Sequence, residues 1–496
     1  MGDLRGRTFD SEYVQQRYEY DAVIVGAGPN GLAAAIRIAQ HGFSTLVLEG
    51  SDKVGGGCRT EELTLKGFWH DVGSAVHPLA LASPFFSSLP LEKYGLTWIQ
   101  PKVPLAHPVS AGAVAVLQRS LPKTAEALGK DGRMYNRIFG PIVSRSEGLI
   151  EEFLQPIIHL PRHPLTAVRF GVRALLSARQ LVRSHFLQET AGALFAGLAA
   201  HSFLPLSSAG SAGFGLMLGM LGHAVGWPIP SGGAQMISNA LLQHLKTLGG
   251  KIHTGVFITS LSQLPRARVI LLDITPRQLI RIARAKLPVR YRRTLERFRY
   301  GPGIFKIDYA LDGPLPWIHE VCQRAGTIHL GGTFDEIAEA ETEVAQGKCP
   351  DRPFLLLSQP TLFDPTRAPV GRHVVWAYCH VPNGSSFDMT ERIERQIARF
   401  APGFYDRVLV RRATSAAELE SKNANLIGGA ITGGANDLWQ MVARPILSAV
   451  PYRTPIKGMF LCSSSTPPGG GVHGMCGFHA ANAALNYLQG HSRSTH

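Results

Sequence analysis

The chain has 496 residues, 45% apolar and only 17% charged, too long for one compact core and too apolar for a disordered or coiled-coil protein. Lys and Arg outnumber Asp and Glu by 50 to 36, a net charge of +14. That excess admits phosphates, acidic lipid or nucleic acid as partners and selects none of them. The six cysteines, Cys58, Cys322, Cys349, Cys379, Cys462 and Cys476, are scattered and include no C-x-x-C. This argues against a disulfide scaffold, a zinc ribbon or a redox dithiol, and for a reduced, intracellular setting.

Residues 1–19 form a polar N-terminal extension of mixed charge, with neither the apolar run of a signal peptide nor the acid-poor composition of a transit peptide. YDAVIVGAGPNGLAAAIRIAQHGFSTLVLEG (20–50) then reads as strand, tight turn, helix, turn, strand. Ala22 to Val25 form the continuous apolar run of a strand covered on both faces. Gly26, Gly28 and Gly31 form G-x-G-x-x-G, with Pro29 and Asn30 opening the helix. The first glycine permits the turn, the second admits a diphosphate to the backbone, and the third lets helix and strand pack closely. The helix start offers free N–H groups and a positive dipole end to that diphosphate. Glu49 ends the second strand at the spacing of an acid that accepts hydrogen bonds from ribose hydroxyls and disfavours a 2′-phosphate. KVGGGCRTEELTLKGFWHDVGSAVHP (53–78) adds a second glycine turn, Gly55, Gly56 and Gly57. There Arg59 can meet a phosphate or the charge of a reduced ring.

Farther on, PRHPLTAVRFGVRALLSARQLVRSHF (161–186) spaces Arg169, Arg173, Arg179 and Arg183 among apolar residues at helical intervals, with no acid. It reads either as a solvated helix face or as a helix lying on an anionic membrane. Between Thr190 and Leu245 there is no Asp, Glu, Lys or Arg. Its glycines and His223 argue for buried helix and lipophilic pocket wall rather than a membrane span. PSGGAQMISNALLQHLKTLGGKIHTGVFITSL (230–261) gives a glycine turn, an amphipathic helix and a strand containing Val256; RVILLDITP (268–276) gives another strand and turn. A second basic stretch (281–301) has Glu296 as its one acid. No nucleic-acid recognition motif accompanies the charge, so no nucleic-acid partner is expected. Near the end, GMFLCSSSTPPGGGVHGMCGFHAANAALNYL (458–488) is strand, Pro-Gly turn and helix.

Together these motifs resemble the flavin-dependent amine oxidase and phytoene desaturase superfamily. The spacing P-P-G-G-G-V-H-G-M-C-G-F-H-A-A is closest to its phytoene-dehydrogenase-related oxidoreductases. The resemblance runs from about residue 20 to residue 488. It implies an α/β protein with FAD as cofactor: a Rossmann-type FAD domain interrupted in sequence (20–105, 228–310 and 430–490) and an inserted mixed α+β substrate domain (106–227 and 311–429). It further implies that the Val256 backbone contacts adenine and that Gly470, Gly471, Val472, Gly474 and Gly477 meet the flavin end. Where many members carry an acid before the last glycine turn, this chain has Ser463 to Ser465. No second strand-GxGxxG-helix unit is present, so electrons are expected to pass to oxygen, a quinone or another acceptor rather than through a dedicated NADPH domain.

Chemistry beyond the cofactor is less marked, because hydride transfer to a flavin needs mainly a positioned carbon and a dry pocket. His473 and His479 flank the last glycine turn, and His77 follows the second one. Each is a candidate to face the flavin, and each also reads as a satisfied structural histidine. Cys476 reads as a buried thiol rather than a covalent flavin link. Trp376, Tyr378 and Trp439 form an aromatic cage or simply pack in the core. No metal-ligand spacing is present. The expected activity is hydride transfer between flavin N5 and a lipophilic isoprenoid, carotenoid-like or acyl chain. The alternatives are an amine-oxidase-like enzyme acting on a C–N bond, and a catalytically quiet flavoprotein with an interaction role. The expected setting is cytoplasmic or peripheral to a membrane.

Overall fold

A computed structural model describes residues 18–156 and 159–492. The extension expected over 1–19 therefore lies, up to residue 17, outside the described residues. The strand Tyr20–Val25, buried from Ala22 to Val25, takes the centre of a five-stranded parallel sheet. Ala267–Leu272 and Thr45–Leu48 pair on its two sides, and Met459–Leu461 and Lys251–His253 form the edges. Parallel neighbours cannot be joined by hairpins, and here they come from three stretches of chain far apart in sequence. The helix Pro29–Ala39 packs on this sheet and is itself covered by the C-terminal helix Met475–Ser492. At their crossing a Cβ on Gly477 would lie 1.8 Å from the Asn30 carbonyl oxygen, so only glycine allows the contact.

A second sheet has seven strands in the order Val408–Thr414, Gly303–Leu311, His373–Val381, Leu355–Ser358, Ala325–Leu330, Val103–Ser110 and Ala113–Leu117. Only the Ala325–Leu330 and Val103–Ser110 pairing is parallel. The domain limits drawn from sequence at 105 and 310 both fall inside strands of this sheet and move to the loops before Val103 and Gly303. Ladder pairing, which the sequence pattern does not disclose, decides to which sheet a strand belongs. On one face Phe305, Ile307 and Tyr309 share a core with Met389, Ile393 and Ile397. On the other, Lys306 and Asp308 stand opposite Tyr378 and Trp376 across the ladder.

The uncharged window includes two helices packed on each other, Glu189–Ala200 and Ser211–Ala224, both deeply buried, and most of a third, Gln235–Thr247. Their glycines let rings fill the interface: a Cβ at Gly215 would sit 2.8 Å from Phe195 and one at Gly219 2.4 Å from Phe139. The window is thus core helix, as its punctuating glycines suggested. None of the described helices is long and apolar enough to cross a membrane.

The two halves are joined through Asp71, at the end of the strand Trp69–Asp71. Its carboxylate accepts hydrogen bonds from Thr60 Oγ1 (2.8 Å) and the Ala234 N–H (2.8 Å), and pairs with Arg367 at 2.9 Å. Asp71 and Arg367 are 2% and 1% exposed. A buried ion pair adds little against an apolar isostere, but removing one partner strands the other charge. Asp71→Ala is therefore expected to destabilise the protein by about 3–5 kcal/mol, measured as a lowered midpoint in chemical denaturation.

Candidate functional site

The first glycine turn follows Val25. Gly26 has φ +99°, and a Cβ there would touch Asp273 at 3.0 Å. At Gly28 a Cβ would lie 2.9 Å from Asp273 Oδ2, and at Gly31 it would lie 2.0 Å from the Gly26 carbonyl oxygen. The Gly31 N–H donates to Asp273 Oδ2 at 3.0 Å. The glycines are required as expected, but part of the reason is Asp273, which sequence reasoning passed over. Its place in RVILLDITP, just past an apolar strand, is the signal that could have found it. Burial pushes its carboxyl up to about 7, opposed by the bond from Gly31 and reinforced by Glu49.

Glu49 turns back toward the same turn. Its carboxylate accepts the Ala27 N–H at 2.6 Å and the Ser51 N–H at 2.9 Å. Each oxygen keeps a further lone pair for a hydroxyl donor. Val256 lies beyond the strand Lys251–His253, not within it as expected, and its N–H donates to the Glu49 carbonyl at 2.8 Å. The ladder with Thr45–Leu48 ends at His253, so the chain is free to loop back at Gly255.

The second turn stacks on the first. The Gly55 N–H donates to the Ala27 carbonyl at 2.9 Å, and a Cβ on Gly56 would lie 3.2 Å from Gly28 Cα. Gly57 faces open space. Its carbonyl accepts the Ser74 N–H at 3.0 Å. Arg59 lies 3.5 Å from Glu61 and lines a cavity of about 230 Å³ together with Lys306, Asp308, Arg412 and Lys422. Lys306 and Asp308 are paired and fully buried. His70 Nδ1 approaches Asp308 at 3.5 Å.

The third turn joins them from the C-terminal end. Gly470 lies against the Thr432 backbone, Gly471 against Leu79, and Gly474 against Ala33 of the first helix. Val472 is half-buried beside them. Arg444, unremarked in the sequence, holds this turn in place. Its guanidinium is buried and donates to the carbonyls of Gly434 (2.7 Å), Ala435 (2.9 Å) and Ser464 (3.4 Å). Burial lowers it to about 10, and the carbonyls replace the missing water. Ser463 and Ser465 donate to the carbonyls of Ile274 and Gly433, both at 2.7 Å.

Of the histidines, His473 accepts the Met475 N–H on Nδ1 at 3.0 Å and so caps the last helix. His479 Nε2 meets the Leu154 carbonyl at 2.8 Å, and its ring stacks on Tyr452. Both serve structure. His77 differs, because both ring nitrogens are buried without a hydrogen-bond partner. It opens the short helix Pro78–Ala82, whose Leu79 touches Gly471, and burial lowers its pKa to about 4. Cys476 donates to the Thr466 and Gly469 carbonyls, and burial pushes its thiol up to about 12. Trp376 and Tyr378 meet edge to face at 5.1 Å. Trp439 is largely exposed and stands apart from them. Among the described residues no group of three or more His, Cys, Asp or Glu is arranged to hold a metal.

Three glycine turns, a helix N-terminus with the unpartnered Asn30 Oδ1 and an acid with spare lone pairs form a cradle that fits a dinucleotide. A Cβ at Gly31 would force the turn open, so Gly31→Ala is expected to abolish retention of the flavin absorbance band through purification. The raised carboxyl of Asp273 lets the folded state bind a proton that the unfolded state has released between about pH 4 and 7, so this residue costs stability as pH rises through that window. Asp273→Asn should therefore gain melting temperature over wild type, by an amount that grows from pH 5 to pH 8. A pH-independent difference would remove Asp273 as the titrating group.

Residues 24–85 match the family model of an NAD(P)-binding Rossmann-like domain. Pyridine nucleotide-disulfide oxidoreductase domain-containing protein 2 is 26% identical in Rattus norvegicus and 27% in Mus musculus, each match covering 95% of this chain and 94% of the relative. A limonene dehydrogenase subunit from Castellaniella defragrans is 28% identical over 27% of this chain and 24% of its own. Among solved structures, an oxidoreductase from Methanosarcina mazei superposes with a TM-score of 0.61 at 16% identity, covering 94% of this chain and 99% of its own. Putrescine oxidase bound to putrescine gives 0.61 at 18%, covering 95% and 99%. Similar along nearly its whole length to pyridine nucleotide-disulfide oxidoreductase domain-containing protein 2, the chain shares the α/β fold of putrescine oxidase, and its three-turn cradle fits FAD.

Proposed function

We propose that this oxidoreductase acts on a lipophilic, unsaturated or saturable carbon chain of isoprenoid or acyl type. Bound FAD supplies a two-electron hydride acceptor or donor at N5. In this reading the N–H groups of Gly28 and Asn30 and the positive end of the helix hold the diphosphate, Glu49 accepts from the ribose, Gly55 to Arg59 form the second approach, and Gly470 to Gly477 meet the flavin end. His77, kept neutral by burial at physiological pH, adds no charge of its own, as removal of hydride from a C–H bond allows.

The observation that carries the choice of substrate is the position of Lys306. Its ammonium lies 5.9 Å from the Trp376 ring, so the aromatic pair Trp376 and Tyr378 already has a cation beside it. Arg59, Arg412 and Lys422 border the adjoining cavity against only Glu61 and Asp308. A protonated amine would meet this surplus positive charge, whereas a neutral or anionic lipophilic molecule would not. The match to the limonene dehydrogenase polypeptide, a protein named for a hydrocarbon substrate, supports the same reading. The likeness to putrescine oxidase favours a second reading, oxidation of a C–N bond.

Anaerobic titration of the holoenzyme separates the readings. Carotenoids, isoprenoids or fatty acyl compounds are expected to bleach the flavin, while amines leave it oxidised. Bleaching by amines alone would establish the second reading, and bleaching by none, with a protein partner recovered instead, an interaction role. Glu49→Ala is expected to weaken FAD binding at least tenfold, the loss of about one charge-assisted hydrogen bond, measured by fluorescence titration. Unchanged affinity would remove Glu49 from the ribose site.

A further inference from the structure

The helix Pro164–Ala174 turns its apolar residues outward. Leu165, Val168, Val172 and, just past its end, Leu175 follow one another at helical spacing, and their exposure runs from 58% at Leu175 to 76% at Leu165. Phe170 alone is buried, with its ring 4.5 Å from that of Phe153, so the helix is anchored with its apolar stripe facing out. A second exposed apolar segment lies beside it. The Gly210 N–H donates to the Leu175 carbonyl at 3.1 Å, and a Cβ on Gly210 would lie 2.8 Å from Leu438. Leu438 opens the helix Leu438–Val442, which carries Trp439 at 68% exposure, with Leu447 at 58% beyond it. Two segments far apart in sequence thus meet through Gly210, and both turn apolar side chains outward.

Their border is cationic. Arg169 and Arg173 lie on the first helix and pair with no acid among the described residues. The second basic stretch reaches the other segment: the Arg299 N–H donates to Gln440 Oε1 at 3.0 Å, and the Arg299 guanidinium neutralises Asp437 at 2.8 Å. Arg293 and Arg297 are exposed nearby in sequence. The surface is also tied to the cofactor cradle, since the helix Leu438–Val442 leads into Arg444, the guanidinium that holds the C-terminal glycine turn.

We infer that this surface docks the protein onto an anionic lipid bilayer, with Leu165, Val168, Val172, Leu175, Trp439 and Leu447 inserted among the acyl chains and the arginines on the headgroups. Exposed aliphatic side chains, an amphipathic tryptophan and arginines without acids are the chemistry of an interfacial helix, and the charge complements phosphate headgroups. An apolar protein groove would not require the arginines. The inference stands apart from the choice of substrate, which adds only that a lipophilic molecule would be taken up beside the turn held by Arg444.

Co-sedimentation of the holoenzyme with vesicles tests it, without substrate, so that failure here and failure of the flavin-reduction test are separate results. Vesicles of phosphatidylcholine with phosphatidylglycerol should carry the protein down, and vesicles of phosphatidylcholine alone should do so far less. Val168→Asp combined with Val172→Asp should abolish binding while flavin content and melting temperature stay unchanged. Arg169→Ser combined with Arg173→Ser should weaken it by roughly fivefold per arginine, with most of that difference lost at high salt. Absence of binding to anionic vesicles, or equal binding by the aspartate variant, overturns the proposal. So does self-association that the aspartates abolish in a protein that ignores vesicles.

Discussion

The molecule depends on backbone approaching backbone more closely than any side chain permits. The carbonyl of Gly26 lies where a Cβ on Gly31 would be, Gly28 lies against Gly56, and the Asn30 carbonyl lies where a Cβ on Gly477 would be. These contacts bring three turns, from the beginning and the end of the chain, to one helix N-terminus. The helix dipole and its unsatisfied N–H groups then act on a single small volume, and the parallel sheet holds the turns in register. Without them the interrupted domain would have a sheet but no cradle.

Around the cradle the protein uses burial to set charge. Asp273 is raised toward neutrality beside the helix start, His77 and His473 are held neutral, and Cys476 is kept as a thiol. The charges that remain are placed with partners: Asp71 with Arg367, Lys306 with Asp308, and Arg444 with a ring of carbonyls. Each is a junction between segments as well as a charge, so electrostatics and domain assembly are the same set of contacts.

The legible part of the sequence was local. The strand before Gly26, the helix after it and the acid at Glu49 lie within one continuous stretch, and each follows from apolar runs, glycine spacing and turn chemistry. The second and third glycine turns were equally plain, as was the buried character of the uncharged window. Arg444 was not visible, because nothing in its neighbours marks a cation that will be buried against backbone from a remote loop, and the apolar strand before Asp273 marks a strand end without saying which turn the acid will meet. His473 and His479 look alike in sequence and turn out to be a helix cap and a carbonyl contact. His77 is left as the histidine with both nitrogens unpartnered, a distinction that exists only once the chain has packed.

By itself, then, the sequence determined an α/β dinucleotide-binding protein, its glycine turns and its basic, apolar composition, since these depend on interactions between residues close in the chain. Tertiary structure decided which strands join which sheet, moving the domain limits back from 105 and 310 to the loops before Val103 and Gly303, because ladder pairing is a long-range choice. It also decided that Trp439 lies at the surface while Trp376 faces Lys306. The outward stripe of the helix Pro164–Ala174 is the same kind of decision. Spacing along a helix shows that an apolar face exists, and only the packing of Phe170 beneath it determines that this face is turned away from the core.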